Sequence, residues 1–189
     1  MYNLVVFASG NGSTLQTIID HINNGILEAN ICLVVSDNVQ AFALERAKES
    51  DIPIYVIKSK TIEERDNELA SVLAKYDIDL IVLAGYLKMI GTKLIGNYTI
   101  INTHPSLLPA YGGKGMYGMK VHAAVVEAGE QYSGVTVHYV NGEYDEGDII
   151  SQIKVKLEDN ETPESLSAKV QAAEKIQLIE VIKNFIIKK

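Results

Sequence analysis

The 189 residues carry 17 basic and 24 acidic side chains, a net charge of −7, with 47% hydrophobic and 22% charged residues, which describes one globular domain able to bury a core unaided and argues against a general nucleic-acid binder. One cysteine, Cys32, excludes an internal disulfide framework and a cysteine-based zinc site. Apolar runs such as residues 80–87 are too short to span a bilayer, and no basic region precedes the first of them, so the expectation is a cytoplasmic protein with no membrane partner.

Residues 4–8 (LVVFA) predict a strand buried on both faces. Ser9-Gly10-Asn11-Gly12 breaks it. Ser13 is then placed to cap a helix carrying Leu15, Ile18, Ile19 and Ile22, as far as Asn24-Gly25. Residues 31–35 (ICLVV) predict the second strand, and Ser36-Asp37-Asn38 opens a helix with Ala43, Leu44 and Ala47, Asp37 acting as its cap. A short third strand at 53–57 leads to an amphipathic helix at 61–76. Strands at 80–84 and 99–102 follow, the latter reached through a short segment around Leu94. Apolar strand blocks alternating with helices indicate right-handed βαβ units around a mostly parallel sheet.

After Pro109 the texture changes. A glycine-rich stretch, residues 112–115, precedes a helix at about 119–128. Residues 135–140 alternate as a strand, the turn Asn141-Gly142 follows, and residues 149–155 form another strand. With no helix between them, these two should be antiparallel at one edge of the sheet. Residues 162–188 predict a long terminal helix, capped by Thr162 with Pro163 at its first position.

Three segments carry chemistry. The loop Ser9-Gly10-Asn11-Gly12-Ser13-Thr14 lets a ligand approach the backbone, and the helix start behind it offers free N–H groups, a plausible cradle for one phosphate. It is not a dinucleotide fingerprint, because position 15 is Leu, and it lacks the Gly-Lys-Ser/Thr of a P-loop. In the second segment, Asn102 and His104 lie two apart at a strand end, so they face the same side. Together they offer an amide donor and an imidazole, bracketed by Pro105 and Pro109. His21, His122 and His138 are the weaker histidines by sequence context. In the third, Glu143, Asp145, Glu146 and Asp148 fall between the last two strands, where one of them could pair with His104 and orient it. The residues alone do not choose among the four, and no multi-ligand metal pattern accompanies them.

At these positions the sequence resembles the phosphoribosylglycinamide formyltransferase family. The matching motifs are SGNGS at 9–13, LAGYLKMI at 83–90, NTHPSLLP at 102–109, GVTVHYV at 134–140 and YDEGDIISQ at 144–152. The resemblance covers essentially the whole chain. It implies a single formyltransferase domain over residues 1–189. The implied fold is α/β and Rossmann-like, a mostly parallel twisted sheet with antiparallel edge strands and helices on both faces. It also implies formyl transfer from 10-formyltetrahydrofolate, without metal, to the amine of 5-phosphoribosylglycinamide. The expected partners are small molecules rather than nucleic acid, and the expected state is a monomer or homodimer.

Carried over by position, Asn102 and His104 match the family's catalytic pair, and Asp145 the acid that supports the histidine. Gly12, Ser13 and Thr14 match the phosphate cradle. Leu87, Lys88, Met89 and Ile90, with Asn102, match the folate site, and Glu174 matches a substrate-binding acid. Two features depart from the family: the basic residue often found near Ile62 has no counterpart nearer than Arg65, and the 112–119 loop is longer than in some relatives. Other readings are a formyltransferase acting on methionyl-tRNA or a sugar nucleotide, a formyltetrahydrofolate hydrolase, and a non-catalytic ligand-binding module. The first two are expected to carry a further domain.

Overall fold

The computed structural model describes residues 1–188. Strands β1 (Tyr2–Phe7), β2 (Ala29–Ser36), β3 (Ile54–Val56), β4 (Leu80–Leu83), β5 (Ile100–His104), β6 (Tyr132–Tyr139) and β7 (Ile149–Lys156) form one sheet, ordered β3-β2-β1-β4-β5-β6-β7. Pairing is parallel from β3 through β5 and antiparallel for β5–β6 and β6–β7. The connecting helices are α1 (Ser13–Asn23), α2 (Phe42–Glu49), α3 (Ile62–Leu73), α4 (Thr92–Asn97) and α5 (Met119–Glu127), and α6 (Pro163–Ile187) closes the chain. The α/β class, the antiparallel edge and the long final helix all agree with the sequence reading.

Apolar blocks form the central strands because both faces of the sheet are covered. Leu4 and Val6 pack toward α1, α2 and α6, where they meet Ile18, Leu44 and Ile182. Val5 and Phe7 pack the other way, toward Leu69 and Leu73 of α3 and Leu94 of α4. A smaller cluster joins α5 to α6, with Val121 and Val125 against Leu166 and Val170 over Val135 of β6.

The winding of the chain fixes where a ligand can sit. From β1 the sheet grows one way through β2 and β3, and from β4 it grows the other way. Loops leaving the carboxyl ends of β1 and β4 therefore diverge and leave a crevice at this switch point.

Caps account for two local corrections. Thr61 and Thr162 cap α3 and α6 through reciprocal bonds with Glu64 and Ser165, as their spacing indicates. Ser13, however, is the first residue of α1 rather than its cap. Gly12 holds the cap position in a left-handed conformation, and no side chain bonds the first turn. Asp37 caps nothing either, since α2 starts only at Phe42. Its carboxylate accepts the Ser9 hydroxyl at 2.6 Å, tying the end of β1 to the end of β2.

Gly134, within β6, tests how tightly the antiparallel edge is packed. A Cβ there would overlap the Ile153 carbonyl oxygen and the Leu107 side chain. Gly134→Ala is expected to cost about 1–3 kcal/mol. In a domain of this size that lowers the melting temperature by about 2–4 °C per kcal/mol. A melt within a degree of wild type would show that this strand has room to spare.

Candidate active site

The crevice opens into a cavity of about 790 Å³, lined by the glycine loop after β1, residues 83–90 after β4, the end of β5 and one side of α6. At the glycine loop, backbone rather than side chain decides the shape. A Cβ on Gly12 would meet the Cα and Cβ of Ala43 at 2.7 Å, and its φ is +75°. Only glycine fits that turn. The missing side-chain cap leaves the N–H groups of Ser13 and Thr14 directed into the loop, the arrangement an anion requires. Arg46 of α2 braces the loop by donating to the Asn11 backbone oxygen at 2.9 Å and to Asn11 Oδ1 at 3.0 Å. It also brings a positive charge beside the cradle.

At the end of β5 the two sequence-selected residues converge with a third. His104 Nδ1 lies 3.3 Å from Asp145 Oδ2, and Asp145 also accepts from Asn102 Nδ2 at 3.4 Å and Gly113 N–H at 3.0 Å. Of the four acids left open by the residues alone, Asp145 is the one beside the imidazole. Burial alone would raise its carboxyl pKa, but the adjoining rings of His104 and His138 and the Gly113 N–H outweigh burial. They hold it far below the usual carboxylate range. The other nitrogen of His104, Nε2, lies 2.8 Å from the Tyr111 carbonyl oxygen. Both neighbours of the ring are acceptors, so only the doubly protonated imidazole donates to both.

Glu174 sits on the far wall. Its Oε1 accepts the hydroxyls of Thr14 and Thr103, each at 3.0 Å, which joins α1, β5 and α6 at one point. The Thr14 hydroxyl is thus committed to Glu174, so what Thr14 offers a phosphate is its backbone. Leu87, Lys88, Met89 and Ile90 also line the cavity, with the Leu87 N–H bonded to the Ser9 hydroxyl at 3.2 Å. Among the described residues, no group of three His, Cys, Asp or Glu side chains stands in a metal-binding arrangement.

Residues 2–182 match the formyl transferase family. The chloroplastic phosphoribosylglycinamide formyltransferase of Arabidopsis thaliana is 42% identical over 185 residues, 95% of this chain, and the chain spans 63% of that relative's length. The Haemophilus influenzae phosphoribosylglycinamide formyltransferase is 38% identical over 179 residues, 92% of this chain and 82% of its own. The crystal structure of the Bacillus halodurans phosphoribosylglycinamide formyltransferase aligns with a TM-score of 0.89 at 33% identity, covering 96% of this chain and 94% of that one. The chain belongs to the formyl transferase family.

Sequence reasoning missed several residues that line this cavity. His138 pairs across from Asn102 in the β5–β6 ladder and is buried in the site. Its Nδ1 meets the Tyr139 carbonyl oxygen at 2.8 Å, and its Nε2 lies 3.1 Å from Asn102 Nδ2 and 3.6 Å from Asp145 Oδ1. Locally it is one polar residue in an alternating strand, and only the strand register brings it to Asn102. His122 is likewise buried and lines the cavity. Arg65 behaves differently from a ligand contact: it is buried behind the 87–90 stretch and donates to the Lys60 and Met89 carbonyl oxygens.

The environment of Glu174 has a cost that can be measured. Burial raises its pKa against the opposing hydrogen bonds from Thr103 and Thr14, so the folded protein holds that proton more tightly than the unfolded chain does. The resulting stability is complete below the unfolded value, about 4.3, and is lost as pH rises through the folded value. Glu174→Gln keeps an acceptor for both threonines and has no charge to bury. It is expected to melt at a higher temperature than wild type near pH 7.5, with the gap closing toward about pH 4. A gap independent of pH would show that the carboxylate is not penalised by its surroundings.

Proposed function

We propose that this chain transfers the formyl group of 10-formyltetrahydrofolate to the amine of 5-phosphoribosylglycinamide, a step of de novo purine biosynthesis, acting as one formyltransferase domain over residues 1–189. The observation that carries this reading is the Asn102–His104–Asp145 cluster between an anion-ready helix start and the 87–90 wall. Such a cavity suits an acceptor bearing a phosphate at one end and a folate at the other.

The amine nitrogen attacks the formyl carbon, and the carbonyl oxygen becomes an oxyanion. Asn102 and the His104 imidazolium donate to it, which requires His104 Nε2 to exchange the Tyr111 carbonyl, and Asn102 Nδ2 its 3.4 Å contact with Asp145, for the substrate oxygen. Collapse breaks the bond from carbon to the folate N10. The proton lost by the amine ends on N10, with water and the ionised Asp145 assisting its passage. No thiol is suited to carry the formyl group, because burial raises the Cys32 pKa and its Sγ–H donates to the Leu4 carbonyl oxygen. We propose further that the enzyme works in the cytoplasm on small molecules. The net charge of −7 supports that reading, and among the described residues no helix is long and apolar enough to cross a membrane.

The deciding assay compares formyl transfer from 10-formyltetrahydrofolate to the ribonucleotide with transfer to water; release to water alone would overturn the reading. Asn102→Ala and His104→Ala are each expected to lose about 10²–10³ in kcat, the usual cost of one oxyanion donor. Near-full activity in either folded variant would remove that residue from the mechanism. Ser13→Asp brings a carboxylate to the helix start, where it would repel a phosphate. By calorimetry it should weaken ribonucleotide binding by at least about tenfold while leaving folate binding nearly unchanged. Equal losses for both ligands would overturn the assignment of this loop.

A further inference from the structure

Polar atoms buried without a hydrogen-bond partner are rare in folded proteins, and each calls for a physical explanation. Among the described residues, four side chains carry one: Tyr86, His122, Ser133 and Gln177. Of these, Tyr86 and His122 line the main cavity, and only His122 lies toward α6. It stands in the first turn of α5, beside the Val121 contact that joins α5 to Leu166 and Val170 of α6. Ser167, Gln171 and Glu174 of α6 line the same cavity.

We infer that His122 is a further binding residue for the ribonucleotide, its imidazole hydrogen-bonding the glycinamide–ribose portion. The inference rests on the proposed function and names a contact that reading does not include. A neutral ring offers one N–H donor and one acceptor, which suits ribose hydroxyls and the glycinamide amide. The cation would be the form for a phosphate, and burial and the nearby His104 disfavour it. No protein group is bonded to Nδ1, so the ring can place its proton on whichever nitrogen the ligand needs.

Calorimetry on the full chain tests this, with 5-phosphoribosylglycinamide and tetrahydrofolate titrated separately. His122→Phe keeps a ring of similar size and removes both nitrogens, whereas His122→Asn keeps a polar group. We expect His122→Phe to bind the ribonucleotide about tenfold more weakly, tetrahydrofolate within about twofold of wild type, and His122→Asn to recover part of the loss. Unchanged ribonucleotide affinity in His122→Phe would overturn the inference. So would equal losses for both ligands in both variants, the mark of a purely structural histidine. Formyl transfer by wild type separates the two ideas. An inactive wild type overturns the proposed function and this inference with it, while an active wild type with unaffected His122→Phe binding overturns this inference alone.

Discussion

One mostly buried carboxylate organises the carboxyl edge of the sheet. Asp145, its side chain 11% exposed, faces the His104 imidazole, the Asn102 amide and the Gly113 N–H. These groups come from β5 and from the loop before α5, so the acid ties together two segments that the His104–Tyr111 contact also joins. A carboxylate taken from water needs such partners, because an ionised group without them is strongly disfavoured. The chain bends to deliver it. Asp145 has a φ of +59°, a conformation that aspartate tolerates better than most residues. Two residues on, a Cβ at Gly147 would overlap the Tyr139 carbonyl oxygen, so the returning loop can lie flat against β6. Backbone strain and close packing are both spent on holding one charge.

The opposite end follows another logic. There the first turn of α1 has no side-chain cap, Glu174 carries a raised pKa despite its two hydroxyl partners, and His122 Nδ1 has no partner. Each is a local loss of stability, of the kind expected where a ligand supplies the missing interaction. The two ends thus divide the work. Asp145 fixes the donors in place, and the α1–α5–α6 side keeps donors and acceptors open.

Much of this was legible in the residues because it is local. Apolar blocks buried on both faces identify the parallel strands, and the Thr162 cap follows from the adjacent Pro163. Asn102 and His104 share a side because strand periodicity alone puts them there. The failures involve distance in sequence. Asp37 looks like a cap until the Ser9 hydroxyl, 28 residues earlier, reaches it. His138 looks like an ordinary strand residue until the antiparallel β5–β6 register brings it to Asn102. The choice of Asp145 among four neighbouring acids came from the family resemblance, since no periodicity in that loop distinguishes them.

The two acceptors on His104 bear on how the proposed reaction would begin. A ring flanked by Asp145 on one side and the Tyr111 carbonyl on the other is oriented before substrate arrives, and its doubly protonated form donates to both. Forming the oxyanion then replaces a neutral carbonyl acceptor at Nε2 with an anionic one, and the donor on that nitrogen need not be created. Charge-assisted hydrogen bonds are roughly twice as strong as neutral ones, so the exchange favours the transition state over the resting contact. The formyl oxygen of the bound substrate, still uncharged, gains little over the Tyr111 carbonyl. The benefit is therefore realised as charge develops, which is the condition for a donor to lower a barrier rather than merely tighten binding.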